Sequence, residues 1–90
     1  MRLDKFLKVS RIIKRRTIAK DMCDNARIQV NGRVAKAGHD IEAGDTLIIE
    51  FGRRILTVEV LDTPNTIRAD QAETLYTILT NEEKKEEEWI

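Results

Sequence analysis

The chain is poor in the residues that small proteins use for covalent or metal chemistry. Cys23 is its only cysteine, so there is no internal disulfide and no thiolate metal cluster. His39 is its only histidine, placed between Gly38 and Asp40 in an expected loop, with no second metal ligand at a suitable spacing. Four aromatic residues (Phe6, Phe51, Tyr76 and Trp89) are too few for the stacking platforms of single-strand binders and base-reading sheets. No apolar run approaches the ~20 residues of a membrane span, and no signal-peptide pattern opens the sequence. A nucleophile–base pair, a glycine-rich phosphate loop and a carboxylate constellation outside turns and tail are all missing. The expectation is a cytoplasmic, monomeric protein with no membrane partner, no cofactor and no enzymatic activity.

What is present is charge, unevenly placed. The 90 residues carry 16 basic and 16 acidic side chains and are formally neutral. Residues 2–36 nevertheless hold 11 Lys and Arg against 3 Asp, a local balance of +8. Residues 1–54 come to +6 and residues 55–90 to −6. A compact basic surface on a neutral chain points to a polyanion, nucleic acid being the commonest. With so few aromatics, the recognition expected is electrostatic and shape-directed.

The basic stretch also has a scaffold. Leu3, Phe6, Leu7 and Ile13 fall on one side of a first helix as a core-facing stripe, with Lys5 and Lys8 opposite and Arg2 and Arg11 on the flanks. If that helix ends near Ser10, Arg2, Lys5 and Lys8 share a face. An ordinary solvated face would look similar, but here every charge opposite the core is positive. Lys14, Arg15 and Arg16 then form a cationic joint, and Thr17 is the expected N-cap of a second helix. Exposed N–H groups at that helix start would add to the pull on phosphate. Ile18, Ala19, Met22, Cys23 and Ala26 make the apolar face of the second helix, with Cys23 as packing and Lys20 pointing away.

Ile28 and Val30 alternate with Arg27 and Gln29 before Asn31-Gly32, the dipeptide that favours a type I′ hairpin turn. Arg33 and Lys36 extend the basic surface along the return. Gly44-Asp45 reads as a turn, residues 46–51 as an apolar strand, Gly52-Arg53-Arg54 as another turn, and Leu56, Val58 and Val60 as a paired strand. Thr63-Pro64-Asn65 is expected to end the sheet. Residues 69–79 place Ala72, Leu75, Tyr76 and Leu79 on one face of a third helix, and 81–88, with five Glu and two Lys, read as a charged tail.

Arg2-Leu3-Asp4, Leu7, Ser10-Arg11, Arg15-Arg16, Ala19, Val30-Asn31-Gly32 and Gly44-Asp45, in this order, closely resemble the RNA-binding domain named after ribosomal protein S4. The resemblance implies an α+β fold with the αL motif of that family: two N-terminal helices on a small, mostly antiparallel sheet, with a short C-terminal helix. The expected division is an S4-type domain over 1–62, a helical extension over 63–80 and a flexible acidic tail over 81–90. The family usually has Gly where this chain has Ala26, and Asn25 is the residue expected to take over the left-handed helix stop.

The stretch after the domain resembles the stand-alone bacterial group that includes the ribosome-associated small heat-shock protein. Within it, an acidic end in place of a longer basic extension favours the ribosome-quality-control factors of Gram-positive bacteria. That resemblance implies binding to an obstructed large ribosomal subunit through rRNA and peptidyl-tRNA, beside a partner protein that adds a C-terminal alanine tail to the stalled chain. The RNA-binding residues expected are Arg2, Lys5, Lys8, Arg11, Lys14, Arg15, Arg16, Lys20, Arg33 and Lys36, with Arg16, Arg2 and Lys5 at the centre. Two alternatives stay open: recycling of blocked large subunits, as in the heat-shock relatives, and a protein–protein adaptor built on the basic helix.

Overall fold

Five antiparallel strands form one sheet, and two helices cover one end of it in a computed structural model that describes residues 1–83. The order along the chain is α1 (Leu3–Val9), α2 (Arg16–Asp24), β1 (Ile28–Val30), β2 (Arg33–Val34), β3 (Thr46–Phe51) and β4 (Arg54–Val60). A 3-10 helix (Ala69–Leu75) and β5 (Tyr76–Glu83) complete it. The sheet order is β2-β1-β3-β4-β5, so every neighbour but the β1–β3 pair is also adjacent in sequence among the strands. The α+β class and the two-helix start are as expected.

The core lies where the α1 stripe meets the sheet. Leu3, Phe6 and Leu7 are fully buried, as are Ile28 of β1, Leu47 and Ile49 of β3, and Val58 and Val60 of β4. Complete burial of such side chains contributes roughly 1.5–3 kcal/mol each, so this small set carries most of the stabilisation. Ile13 joins them from the loop after α1, and Ala19 and Cys23 from α2. Burial pushes the Cys23 thiol up to about 11, with help from the nearby Asp4 and Asp24 charges, so it remains protonated and serves as packing. Ile18 and Ala26 of the expected apolar face are exposed instead, because α2 is short and only one narrow side of it meets α1.

Asn31 (φ 52°) and Gly32 (φ 85°) form the left-handed pair that a type I′ turn requires. The turn is then pinned from outside the hairpin. The Asn31 amide nitrogen donates to Asp45 (3.0 Å), and its side-chain oxygen accepts from the Thr46 backbone N–H (2.9 Å). This is why Asn31-Gly32 and Gly44-Asp45, fourteen residues apart, work as one feature.

Three local expectations change. Thr17 is not the cap of α2: Arg15 holds that position without a side-chain bond, and Arg16 is the first helical residue. A threonine cue is purely local, whereas Arg16 is drawn into the first turn by a carboxylate on α1. The sheet does not end at Thr63-Pro64-Asn65, and residues 69–79 are not one helix. The helical part stops at Leu75, and Tyr76 begins an eight-residue strand along β4, pairing Val60 with Tyr76 and Arg54 with Glu83. Ala72 and Leu75 are buried as the helical pattern predicts, but Leu79 is half exposed. The run 76–80 is rich in aromatic and β-branched residues, and the open edge of β4 offers it backbone partners. Consequently 81–83 belong to the sheet. The acidic run beyond them, with Trp89, lies outside the described residues.

The third change concerns the helix stop. Asn25 sits at φ −95°, and Ala26 itself takes the left-handed conformation at φ 58°. The Arg27 N–H reaches Met22 O (2.9 Å) and the Ala26 N–H reaches Cys23 O (3.0 Å), a Schellman stop with alanine where glycine is favoured. An alanine there costs about 1–2 kcal/mol, while glycine would lose about 0.5–1 kcal/mol more chain entropy on folding. Ala26→Gly should therefore stabilise the domain by about 0.5–1 kcal/mol. Urea denaturation checks this: the midpoint should rise at constant slope, and a lower midpoint would show that Ala26 carries no strain.

Candidate nucleic-acid interface

The candidate interface is built on one buried carboxylate. Asp4, in the first turn of α1, has a side chain only 4% exposed. It accepts from Arg2 (Nε to Oδ1, 3.1 Å; Nη2 to Oδ2, 3.4 Å), from Arg16 Nε (Oδ2, 3.3 Å) and from the Lys5 backbone N–H (2.8 Å). Burial alone would raise this carboxyl, but the hydrogen bonds from Arg2, Arg16 and Lys5 outweigh it and hold the group below its ordinary value. Asp4 is thus ionised at neutral pH and ties the start of α2 to the start of α1. The arginine side chains it holds remain 56% (Arg2) and 47% (Arg16) exposed, leaving guanidinium surface for a ligand.

Arg2 is positioned from a second direction. It forms an isolated antiparallel bridge with Asp40, and its guanidinium lies 3.7 Å from where a Cβ on Gly38 would stand. The Leu3 and Asp4 N–H groups donate to His39 O (2.8 Å) and Ala37 O (3.1 Å), stitching the start of α1 to the loop after the hairpin. His39 contributes its carbonyl there and leaves its ring exposed.

Beside this clamp lies an open cleft of about 360 Å³ lined by Lys5, Lys8, Arg11, Arg16, Val9, Asn65, Thr66 and Ile67. α1 ends at Val9 and is capped by Ser10, so Lys5 and Lys8 do share a face. Arg11 reaches the cleft because it takes a left-handed conformation (φ 61°) as the helix stops. Four cations therefore come from three places: α1, its stop and the first turn of α2. Of the remaining expected contacts, Lys14, Arg15 and Lys20 are exposed along the joint and α2. Arg33 and Lys36 are exposed at the hairpin and do not line the cleft.

Two parts of this site were not singled out from sequence. One is Asp4 as the organising anion; its signal is that it is the only acidic residue among the first twenty, in a helix otherwise facing solvent with cations. The other is the far wall, Asn65-Thr66-Ile67, which had no signal because its role depends on where the chain returns. Lys5 Nζ bridges the two walls at 3.4 Å from Asn65 Oδ1. Among the described residues there is no group of His, Cys, Asp and Glu that could hold a metal ion, and no helix is long and apolar enough to cross a membrane.

The S4 domain model matches residues 1–47, which include α1, α2, β1 and β2. The protein called RQC P-site tRNA stabilizing factor in Halalkalibacterium halodurans is 56% identical over 87 residues, covering 97% of this chain and 93% of that one. Its counterpart of the same name in Bacillus subtilis is 51% identical over 82 residues, covering 91% and 95%. The trimeric structure of Vibrio cholerae heat shock protein 15 superposes with a TM-score of 0.80 at 29% identity, covering 87% of this chain and 80% of that one. A matched domain over half the chain, with relatives this similar along nearly their full length, places the chain in the S4-domain family.

Proposed function

We propose that this chain is a ribosome-quality-control factor that grips structured RNA on the large ribosomal subunit. The observation that carries the reading is the arginine pair held on Asp4, of which Arg16 also lines a four-cation cleft. It is supported by the relatives named as P-site tRNA stabilizing factors, which match this chain over most of its length. Phosphate contacts set position and need no base reading, which suits a surface of Lys and Arg without aromatics. On this reading the clamp and cleft hold one RNA backbone. Lys14, Arg15 and Lys20, with Arg33 and Lys36 at the hairpin, extend toward a second. One partner is rRNA and the other the peptidyl-tRNA of an obstructed subunit in the cytoplasm. Holding that tRNA in place lets a partner protein append a C-terminal alanine tail. The protein acts as a monomeric wedge, with no cofactor and no chemistry of its own.

Arg16→Ala and Arg2→Ala should each lower co-sedimentation with large subunits at least tenfold at moderate salt. Each should cost under about 1 kcal/mol of stability, because the other arginine and the Lys5 N–H still satisfy Asp4. Unchanged co-sedimentation of both variants would remove the clamp from the interface, and binding that survives RNase treatment would favour a protein adaptor.

Five cations at the clamp and cleft imply about five neutralised phosphates. The logarithm of the binding constant should then fall against the logarithm of salt with a slope of about −3 to −5, and Lys8→Ala should reduce the slope by about one unit or less. A flat response would exclude the basic surface.

Asp4→Asn removes the anion and keeps the shape. The depressed carboxyl of Asp4 contributes stability that is fully present above its unfolded value of about 3.9 and is lost as pH falls through the lower folded value. The variant should be about 1–2 kcal/mol less stable than the parent at neutral pH. The gap should close below about pH 4, and thermal melts at several pH values check it. A gap independent of pH would mean that the charge of Asp4 is not what the arginines require.

A further inference from the structure

The cleft has two unlike walls. One carries Lys5, Lys8, Arg11 and Arg16; the other is neutral and polar, Asn65 and Thr66, with Val9 and Ile67 as apolar lining. The neutral wall lies outside the matched S4 region of residues 1–47. Its segment is anchored rather than loose. At its base the Leu61 and Asp62 N–H groups both donate to Leu75 O (2.8 and 3.4 Å), and at its far side Ile67 packs against the core. A wall held at both ends is pre-organised, so little ordering entropy is lost when something binds against it.

The volume of about 360 Å³ compares with roughly 30 Å³ per water in the liquid. A phosphate together with its sugar fits, and a bare ion would leave the cleft mostly empty. The distribution of charge orients such a unit. Phosphate oxygens belong on the cationic wall, which turns the sugar toward the neutral one. There Asn65 is exposed, with its side-chain oxygen at Lys5 Nζ (3.4 Å). Among the described residues nothing accepts a hydrogen bond from its amide nitrogen, which is left to donate. A carboxamide offers both a donor and an acceptor, and so does the ribose 2′-hydroxyl, the group that separates RNA from its analogues at a given site.

We propose that Asn65 reads a ribose 2′-hydroxyl of an RNA strand whose phosphates lie on Lys5, Lys8, Arg11 and Arg16, making the wall formed by Asn65 and Thr66 a specificity element added to the S4 domain. This rests on the RNA-binding reading above and deepens it. The cationic wall supplies affinity for any phosphodiester, and the neutral wall selects ribose.

The test uses the full chain, a fluorescein-labelled stem-loop RNA and the same sequence carrying 2′-fluoro groups. The fluoro analogue keeps the A-form helix and removes the hydroxyl donor. Fluorescence anisotropy at low salt should show the parent preferring the hydroxyl form by about 3- to 10-fold, the worth of one or two hydrogen bonds. Asn65→Ala should bring the two affinities within about twofold of each other by weakening the hydroxyl form several-fold more than the fluoro form. Asn65→Ser, which retains a short donor, should restore part of the preference and guards against a folding defect. Arg16→Ala, run alongside, should weaken both probes equally. A parent without preference, a preference that survives Asn65→Ala, or an equal loss on both probes overturns the assignment of Asn65. If Arg16→Ala also leaves both probes unaffected, the RNA reading fails with it.

Discussion

One buried anion holds the helical end of this molecule together. Asp4 takes hydrogen bonds from Arg2, Arg16 and its own helix, and in doing so ties the start of α2 to the start of α1. A surface arginine normally loses rotamer freedom when it binds phosphate. On the proposed reading part of that cost is met on folding, because each guanidinium is already directed by Asp4 while about half of the arginine side chain stays exposed. The same arrangement offsets the penalty of a buried charge, since Asp4 has a partner on each oxygen. On the proposed reading, stability and recognition draw on the same contact, and a change at either arginine acts on both.

The sheet supplies the rigid base for that contact. Asn31 joins the hairpin turn to Asp45 and Thr46, and the residues just after the hairpin carry the start of α1 on the carbonyls of Ala37 and His39. A chain of backbone and side-chain bonds thus runs from β3 to Arg2. The C-terminal strand β5 extends the sheet on the opposite edge, and the connection that leads to it passes the cationic face of α1 on the way. The family domain provides the cations, and the segment after it provides the surface they face.

Much of this is legible in the residues. The α1 stripe, the cationic joint, the Asn-Gly turn and strand β3 all rest on local rules: side-chain periodicity, charge order, and a backbone conformation that few residues tolerate. Such rules act over a few positions, and the sequence displays those positions side by side. The concentration of Lys and Arg in residues 2–36 likewise needs no coordinates to show where a polyanion would be met.

Other features depended on distance that the sequence does not encode. The 76–80 run satisfies a helical pattern and a strand propensity equally, and the unpaired edge of β4 decided between them by offering backbone hydrogen bonds. Ala26 accepted a left-handed conformation because the Schellman bonds and the entry into β1 require one there, whatever the residue prefers. Thr17 lost the cap to Arg15 because Arg16 had a partner twelve residues away. Asp4 became the centre of the site, and Asn65 its second wall, only when folding brought residues 2, 4, 16 and 65 to one place. Local chemistry determined which groups this protein could offer to RNA; the tertiary fold decided which of them stand together, because electrostatic and hydrogen-bonded contacts act over a few ångströms and ignore position along the chain.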